Sequence, residues 1–261
     1  MREPKEAVFR FYAELNDFLP KENRQKDFVY RFWGTPAVKD AIEALGIPHP
    51  EIDLILVNNQ SVDFNYRLQA GDRVAVYPVF ELLNISSVNR LHPKPLRKPR
   101  FILDVNLGKL ARNLRLLGFD ALYENTFPDE EIIDIALREQ RIILTRDIGL
   151  LKNGRVARGY WVRSTQPDEQ IREVLQKFDL TDRIQPFTRC LTCNGILEKV
   201  AKEIVETNLP PKVKKNFNEF YRCNSCGKIY WRGTHFIRME KMIKNWLKNE
   251  ATFPSTNRHK F

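Results

Sequence analysis

Nowhere does the chain approach the roughly 20 consecutive apolar residues that a membrane-spanning helix needs. Its 43% apolar residues and 17 phenylalanines are therefore read as core material of a water-soluble protein with no membrane partner. The opening MREPKEAVFRFYAEL lacks the continuous apolar stretch of a secretory signal, so export has no support and a cytoplasmic location is expected. No glycine-rich phosphate loop is present where a dinucleotide-binding fold would carry one: the turn Asp104-Val105-Asn106-Leu107-Gly108 is not GxGxxG. Cysteine is scarce, and all four fall in two close pairs.

With 261 residues there is room for two or three cores of about 100 to 150 residues each. The formal net charge is +10, and it is unevenly spread. Residues 1–90 hold 11 basic and 13 acidic groups, 91–186 hold 17 and 14, and 187–261 hold 15 and 6. The positive field thus belongs to the C-terminal third, where it suits a polyanion whose counterions are released on binding. A solvated basic face is the alternative.

The first third reads strand, strand, helix, strand, strand: Val8 to Tyr12, Phe28 to Phe32, a helix from Ala37 to Leu45 ended by Gly46, Leu54 to Val57, and Arg73 to Tyr77 punctuated by Pro78. Asn58-Asn59 is a hairpin signal. This order predicts a β-grasp (α+β) domain over 1–85. Through RFYAELNDFLP and LVNNQSVDFNYRLQAGDRVAVYPVF it resembles the ubiquitin-like sulfur carriers of thiamine and molybdopterin biosynthesis. Those carriers act through a free C-terminal Gly-Gly, whereas this chain continues through Phe80-Glu81-Leu82-Leu83. Carrier chemistry is therefore absent, and a docking or structural module with a protein partner is expected. Residues 86–100 read as a linker, with three prolines and five basic residues in NRLHPKPLRKPR.

From Phe101 the pattern becomes α/β. FILDV reads as a strand, Leu107, Leu110, Ala111, Leu114 and Leu117 as a helical stripe closed by Gly118, Asp120 to Tyr123 as a strand, Pro128 to Gln140 as a helix, and RIILT as a third strand. Such alternation predicts a largely parallel sheet with helices on its faces. Asp104 and Asp147 fall beyond the carboxyl ends of their strands, where α/β sheets gather ligands, and Asp129 or Glu130 opens a helix expected at the same edge. Clustered carboxylates repel one another, so a hard divalent cation would keep them ionised. Taken singly, each aspartate also suits a helix N-cap, Asp129 above all. Asn106, Thr145 and Arg146 flank the acids, while Lys109, Arg112 and Arg115 read as the solvated face of their helix.

The cysteines form Cys190-x-x-Cys193 and Cys223-x-x-Cys226, which predicts a closed, structural four-thiolate Zn²⁺ site with a helix or loop inserted between the knuckles. Disulfides are the alternative. His235 is surplus to a complete shell. Lys212, Lys214, Lys215, Arg222, Lys228, Arg232 and Arg238 are interleaved with Phe217, Phe220, Tyr221, Tyr230 and Trp231, a mixture that serves single-stranded nucleic acid or, for the aromatics, a small core. A basic-faced helix is expected over Ile237 to Leu247.

FILDVNLGKLARNLRLLGFDALY, FPDEEIIDIAL, RIILTRDIGLL and YRCNSCGKIYWRGTHFIRM, in that order, resemble the Mut-seven C-terminal RNase domain, a PIN-like nuclease family with an appended zinc ribbon. The resemblance implies a PIN-like domain over 101–183 and a zinc ribbon with a C-terminal helix over 184–250; the tail over 251–261 reads as disordered. It implies a ribonuclease that uses Mg²⁺ or Mn²⁺ on single-stranded RNA, with Asp104, Asp129 and Asp147 as metal-binding acids and Glu130 as a further candidate. Arg146, Lys228 and Arg232 are the RNA-contact candidates. The alternative is a non-catalytic RNA-binding or adaptor protein on the same scaffold.

Overall fold

The computed structural model describes residues 3–78, 91 and 99–248. Most of the expected linker over 86–100, residues 79–85 of the first expected domain and the tail over 251–261 lie outside the described residues. In chain order the N-terminal region contains β1 (Lys5–Phe11), β2 (Phe28–Phe32), α1 (Val38–Ala44), β3 (Ile52–Val57), β4 (Gln60–Val62) and β5 (Arg73–Pro78). Next come β6 (Phe101–Leu103), α2 (Gly108–Leu116), β7 (Ala121–Leu122), α3 (Asp129–Glu139), β8 (Ile142–Thr145), α4 (Ile148–Leu151), β9 (Gly159–Trp161) and α5 (Pro167–Lys177). The C-terminal region adds β10 (Leu197–Val200), α6 (Lys202–Val205), α7 (Pro211–Asn216), β11 (Phe220–Cys223), β12 (Ile229–Trp231) and α8 (Thr234–Lys248). No helix among the described residues is long and apolar enough to cross a membrane.

Two compact units divide the chain, one of residues 1–99 and 128–161, the other of 100–127 and 162–261. In the first, a five-stranded sheet runs β2-β1-β5-β3-β4. β1 is antiparallel to β2 and parallel to β5, and β3 is antiparallel to β4 and β5. Ala7, Phe9 and Phe11 alternate inward from β1 and meet Leu15, Ile42, Ile55 and Val76 in a closed apolar core. Asn58 and Asn59 take φ of 51° and 67°, the left-handed pair that a two-residue hairpin demands, and join β3 to β4. The expected order therefore gains the short β4, and Pro78 ends β5 from inside it, opposite Ile52. A proline is tolerated at the end of a strand, where its missing N–H disrupts little of the ladder.

The same unit carries α3, β8, α4 and β9. β8 is buried along its length and pairs in parallel with β9, Thr145 beside Trp161. The turn at 48–52 packs on β9. Glu51 accepts the Trp161 backbone N–H at 2.5 Å, His49 Nε2 lies 2.8 Å from the Val156 carbonyl, and the Phe18 and Trp161 rings stand 5.0 Å apart. The N-terminal module, expected to be a docking or structural module, thus packs on this part of its own chain.

In the second unit β6 pairs in parallel with β7, α2 packs on α5, and α5 on α8. Gly118 ends the helical segment at φ 93°, and a Cβ there would lie 2.2 Å from the Gln185 carbonyl oxygen, so both its conformation and its surroundings require glycine. Trp246 of α8 is buried and donates its indole N–H to Asp168 at 2.9 Å. β10, β11 and β12 form an antiparallel sheet over Val205, Leu209 and Phe220. Two elements between α4 and the ribbon were not expected. β9 is three residues, too short to show alternation; α5 does carry a legible pattern, with Pro167 leading, Asp168 and Glu169 in its first turn, and Ile171, Val174 and Leu175 buried.

Candidate metal centre and active-site acids

Each Cys-x-x-Cys segment folds into a knuckle because the residue that follows it accepts a left-handed backbone. Asn194 (φ 69°) donates its N–H to the Cys190 carbonyl and Gly227 (φ 72°) to the Cys223 carbonyl, both at 3.0 Å. In the second knuckle the N–H groups of Ser225 and Cys226 aim at Cys223 Sγ from 3.4 and 3.5 Å. The sulfurs of Cys190 and Cys226 lie 3.6 Å apart, those of Cys193 and Cys223 3.4 Å, and all four fall within 4.8 Å of one another. A disulfide needs about 2.05 Å, and all four thiols are free. Sulfurs about 2.3 Å from a tetrahedral Zn²⁺ would stand about 3.8 Å apart, so the cluster fits that ion. As expected, helices lie in the interval between the knuckles, joined there by the strand β10, and His235, exposed on α8, is outside the cluster.

Burial opposes ionisation of Cys190, yet the Tyr230 hydroxyl at 3.1 Å and the backbone N–H groups of Cys193 and Thr192 outweigh it and bring the thiol down to about 6. Burial pushes Cys193 up to about 12. Cys223 is lowered, burial being overcome by the Cys226 and Ser225 N–H groups. Tyr230, grouped in sequence with the aromatics of the ribbon, thus places its hydroxyl on the cysteine site. Phe217, Phe220 and Trp231 build the ribbon core, and Tyr221 donates its hydroxyl to Glu219.

Arg115 corrects another expectation. Far from lying on a solvated face, it is buried and donates to the carbonyls of Ala121 (2.8 Å), Tyr123 (3.4 Å), Leu191 (3.3 Å) and Thr192 (2.8 Å). Asn194 completes the joint, its amide accepting from the Ala121 N–H at 3.1 Å and donating to Asp120 at 2.7 Å. The first knuckle is therefore stitched to β7 and α2. Lys109 and Arg112 are exposed, as expected.

Asp104 follows β6, is buried, and accepts the Val105 N–H at 2.6 Å as the cap of a short 3-10 turn. Asp147 follows β8, is exposed, and caps α4 through the Gly149 N–H at 2.7 Å; its own N–H is held by the buried Thr145 hydroxyl at 2.8 Å. Asp129 is not a cap: Pro128 holds that position and Asp129 is the first residue of α3. Glu130, beside it, pairs with Arg155 at 2.9 Å, and Asp134 binds the same guanidinium. Asp104 belongs to the second unit and Asp129, Glu130 and Asp147 to the first.

Arg146 gives its carbonyl to the Trp161 indole N–H at 3.3 Å, and Asn106 is exposed. Lys228 is exposed and donates to the Thr192 hydroxyl at 3.0 Å; Arg232 is exposed, 3.5 Å from a Glu219 oxygen and over the Phe236 ring. Glu51 and Trp161, absent from the sequence-based site, meet only through a contact spanning 110 positions that no local pattern announces.

No curated protein and no solved structure matches the chain. The model of the Mut7-C ubiquitin domain matches residues 4–84, and that of the Mut7-C RNAse domain matches residues 99–243. Spanning more than half of the chain, the second match shows that the protein belongs to the Mut7-C RNAse domain family, with a Mut7-C ubiquitin domain ahead of that domain.

Proposed function

We propose that the chain is a metal-dependent ribonuclease that hydrolyses phosphodiester bonds in single-stranded RNA, with Asp104, Asp129 and Asp147 holding Mg²⁺ or Mn²⁺. The observation that carries this reading is the RNAse-family match over 99–243. Support comes from Asp104 and Asp147, one and two residues beyond the ends of parallel strands, and from Asp129 at the start of a helix, the positions where α/β folds collect ligands. Carboxylate oxygens are the donors these hard cations prefer. A cation bound there would polarise a phosphoryl oxygen and lower the pKa of an attacking water. The chain's own residues hold the acids: the Thr145 hydroxyl and the Gly149 N–H fix Asp147, and the Val105 N–H fixes Asp104. Arg146, Lys228 and Arg232 supply charge for phosphates, and Zn²⁺ on the four cysteines keeps the ribbon in shape. Cysteines gathered as one four-thiolate cluster suit a reducing compartment, which supports a cytoplasmic location.

A second reading, a non-catalytic RNA-binding adaptor, is favoured by one observation: Asp104 and Asp147 both cap short helical turns. Cleavage of labelled single-stranded RNA with Mn²⁺, Mg²⁺ or EDTA, beside D104N and D147N, separates the two. Asparagine keeps a cap and loses the charge. The nuclease reading expects metal-dependent cleavage that falls at least about a hundredfold in both variants. RNA binding without cleavage in any lane, unaltered by EDTA, would establish the adaptor.

A further inference from the structure

The peptide group joining Arg146 to Asp147 is gripped from both sides. Its N–H goes to the Thr145 hydroxyl at 2.8 Å and its carbonyl to the Trp161 indole N–H at 3.3 Å. Thr145 and Trp161 are themselves neighbours across the β8–β9 pair. Trp161 is in turn held by the ubiquitin domain, its backbone N–H by the Glu51 carboxylate at 2.5 Å and its ring against Phe18 at 5.0 Å. Pro50 reaches the same strand, 3.6 Å from where a Cβ on Gly159 would stand. An unbroken series of contacts thus runs from the ubiquitin domain through one tryptophan to the backbone that presents Asp147.

We propose that Trp161 is a positioning residue for Asp147 and that the ubiquitin domain acts on the reaction through it, as a built-in support for the active site. The inference rests on the nuclease reading for its effect on turnover. Physically, Asp147 sits on a two-residue link between β8 and the one-turn helix α4, and the strand end alone leaves that link several backbone orientations. Fixing both polar atoms of one peptide group leaves one. A carboxylate displaced by about 1 Å can lower the rate about a hundredfold, because a metal-activated displacement depends on alignment. The arrangement also accounts for a ubiquitin-like fold with no free Gly-Gly: its service is the packing of its 49–51 turn and Phe18 on β9, and transfer of its C-terminus plays no part in it.

The test uses the full chain. W161F removes the indole N–H and keeps a ring against Phe18. E51A removes the acceptor for the Trp161 N–H, and E51Q retains one. Two quantities are read: amide hydrogen exchange at Asp147, and kcat and KM on labelled single-stranded RNA with Mn²⁺. The expected result is exchange at least about fivefold faster in W161F and E51A. With it, kcat falls about tenfold or more while KM stays within about twofold, and E51Q recovers most of what E51A loses. Wild-type exchange in W161F would overturn the proposal, as would faster exchange with unchanged kcat. If the wild-type chain cleaves no RNA, the nuclease reading fails and exchange decides the positioning: a faster Asp147 amide in W161F upholds it and an unchanged one ends it. Should E51A fail to fold, W161F and E51Q decide the question by the same two measurements.

Discussion

Replacing Arg115 with methionine removes the joint between the first cysteine knuckle and the α2–β7 segment. The side chain is 4% exposed, and its guanidinium serves four carbonyls, two in residues 121–123 and two in residues 191–192. Burial pulls its pKa down, while Glu124, the thiolates of Cys193 and Cys190, and Asp120 act in the other direction. With Zn²⁺ bound, four thiolates leave a doubly negative centre, and Arg115 is a buried cation beside it. Breaking a buried charged network by deleting one member costs about 3–5 kcal/mol. Methionine fills much of the space and removes the guanidinium's own desolvation cost, so the lower end, about 3 kcal/mol, is expected. For a chain of this size that lowers Tm by roughly 6–12 °C. The assay is thermal unfolding of the zinc-loaded protein together with the rate of zinc capture by a chromogenic chelator, which should rise in R115M. R112M, changed at an exposed position on the same helix, is the control. An R115M protein that melts within about 1 °C of R112M and releases zinc no faster would refute the reasoning.

C223S is expected to lose bound zinc and to open Lys212, Lys214 and Lys215 to trypsin, because the ribbon core of Val205, Leu209 and Phe220 is too small to hold without metal; full zinc content with wild-type protection would contradict this. His49 is lowered from 6.5, burial outweighing the Glu43 carboxylate and the Val156 carbonyl that face its two ring nitrogens, with Lys39 adding to the fall and the Phe64 ring alongside. A depressed histidine stabilises above the unfolded pKa: as pH falls below about 6.5 the unfolded chain takes up a proton the folded chain resists, so stability declines from there downward. Melting temperatures of wild type and H49Q between pH 5 and 7.5 should converge at the acid end, and parallel curves would show that His49 is not the group responsible.

The elements that sequence reasoning located are those whose signal is local. Gly46 and Gly118 end helices, with φ of 102° and 93°, at positions that side chains strain to adopt. Asn58-Asn59 announces its hairpin by residue type, and the cysteine spacing fixes a knuckle without reference to the rest of the chain. Asp104 and Asp147 at strand ends were legible for the same reason. What escaped depends on partners far along the chain. Arg115 lies in an amphipathic stripe whose period marks it as a surface residue, and nothing nearby reveals that the carbonyls of Leu191 and Thr192 converge on it. Glu51 reads as an acid in a turn until β9 comes beside it. The Asp129 cap failed by one position, since Pro128, with its preset φ, takes the N-cap and leaves the acid in the first turn.

Capping and metal binding are rival readings of the same aspartates in sequence, but one carboxylate can do both. A carboxylate offers about four acceptor positions, and a cap occupies one. Asp104 uses Oδ1 toward Val105, and Asp147 uses Oδ1 toward Gly149. A divalent ion would then meet, at Asp104 and Asp147, carboxylates already oriented by these hydrogen bonds. The same logic separates Asp129, which stands one position past the cap in an acidic first turn with Glu130 and Glu131. Its carboxylate is thus held by no cap of the kind that fixes Asp104 and Asp147. The positions of Asp104 and Asp147 should therefore change least between metal-free and metal-loaded protein, and that of Asp129 most.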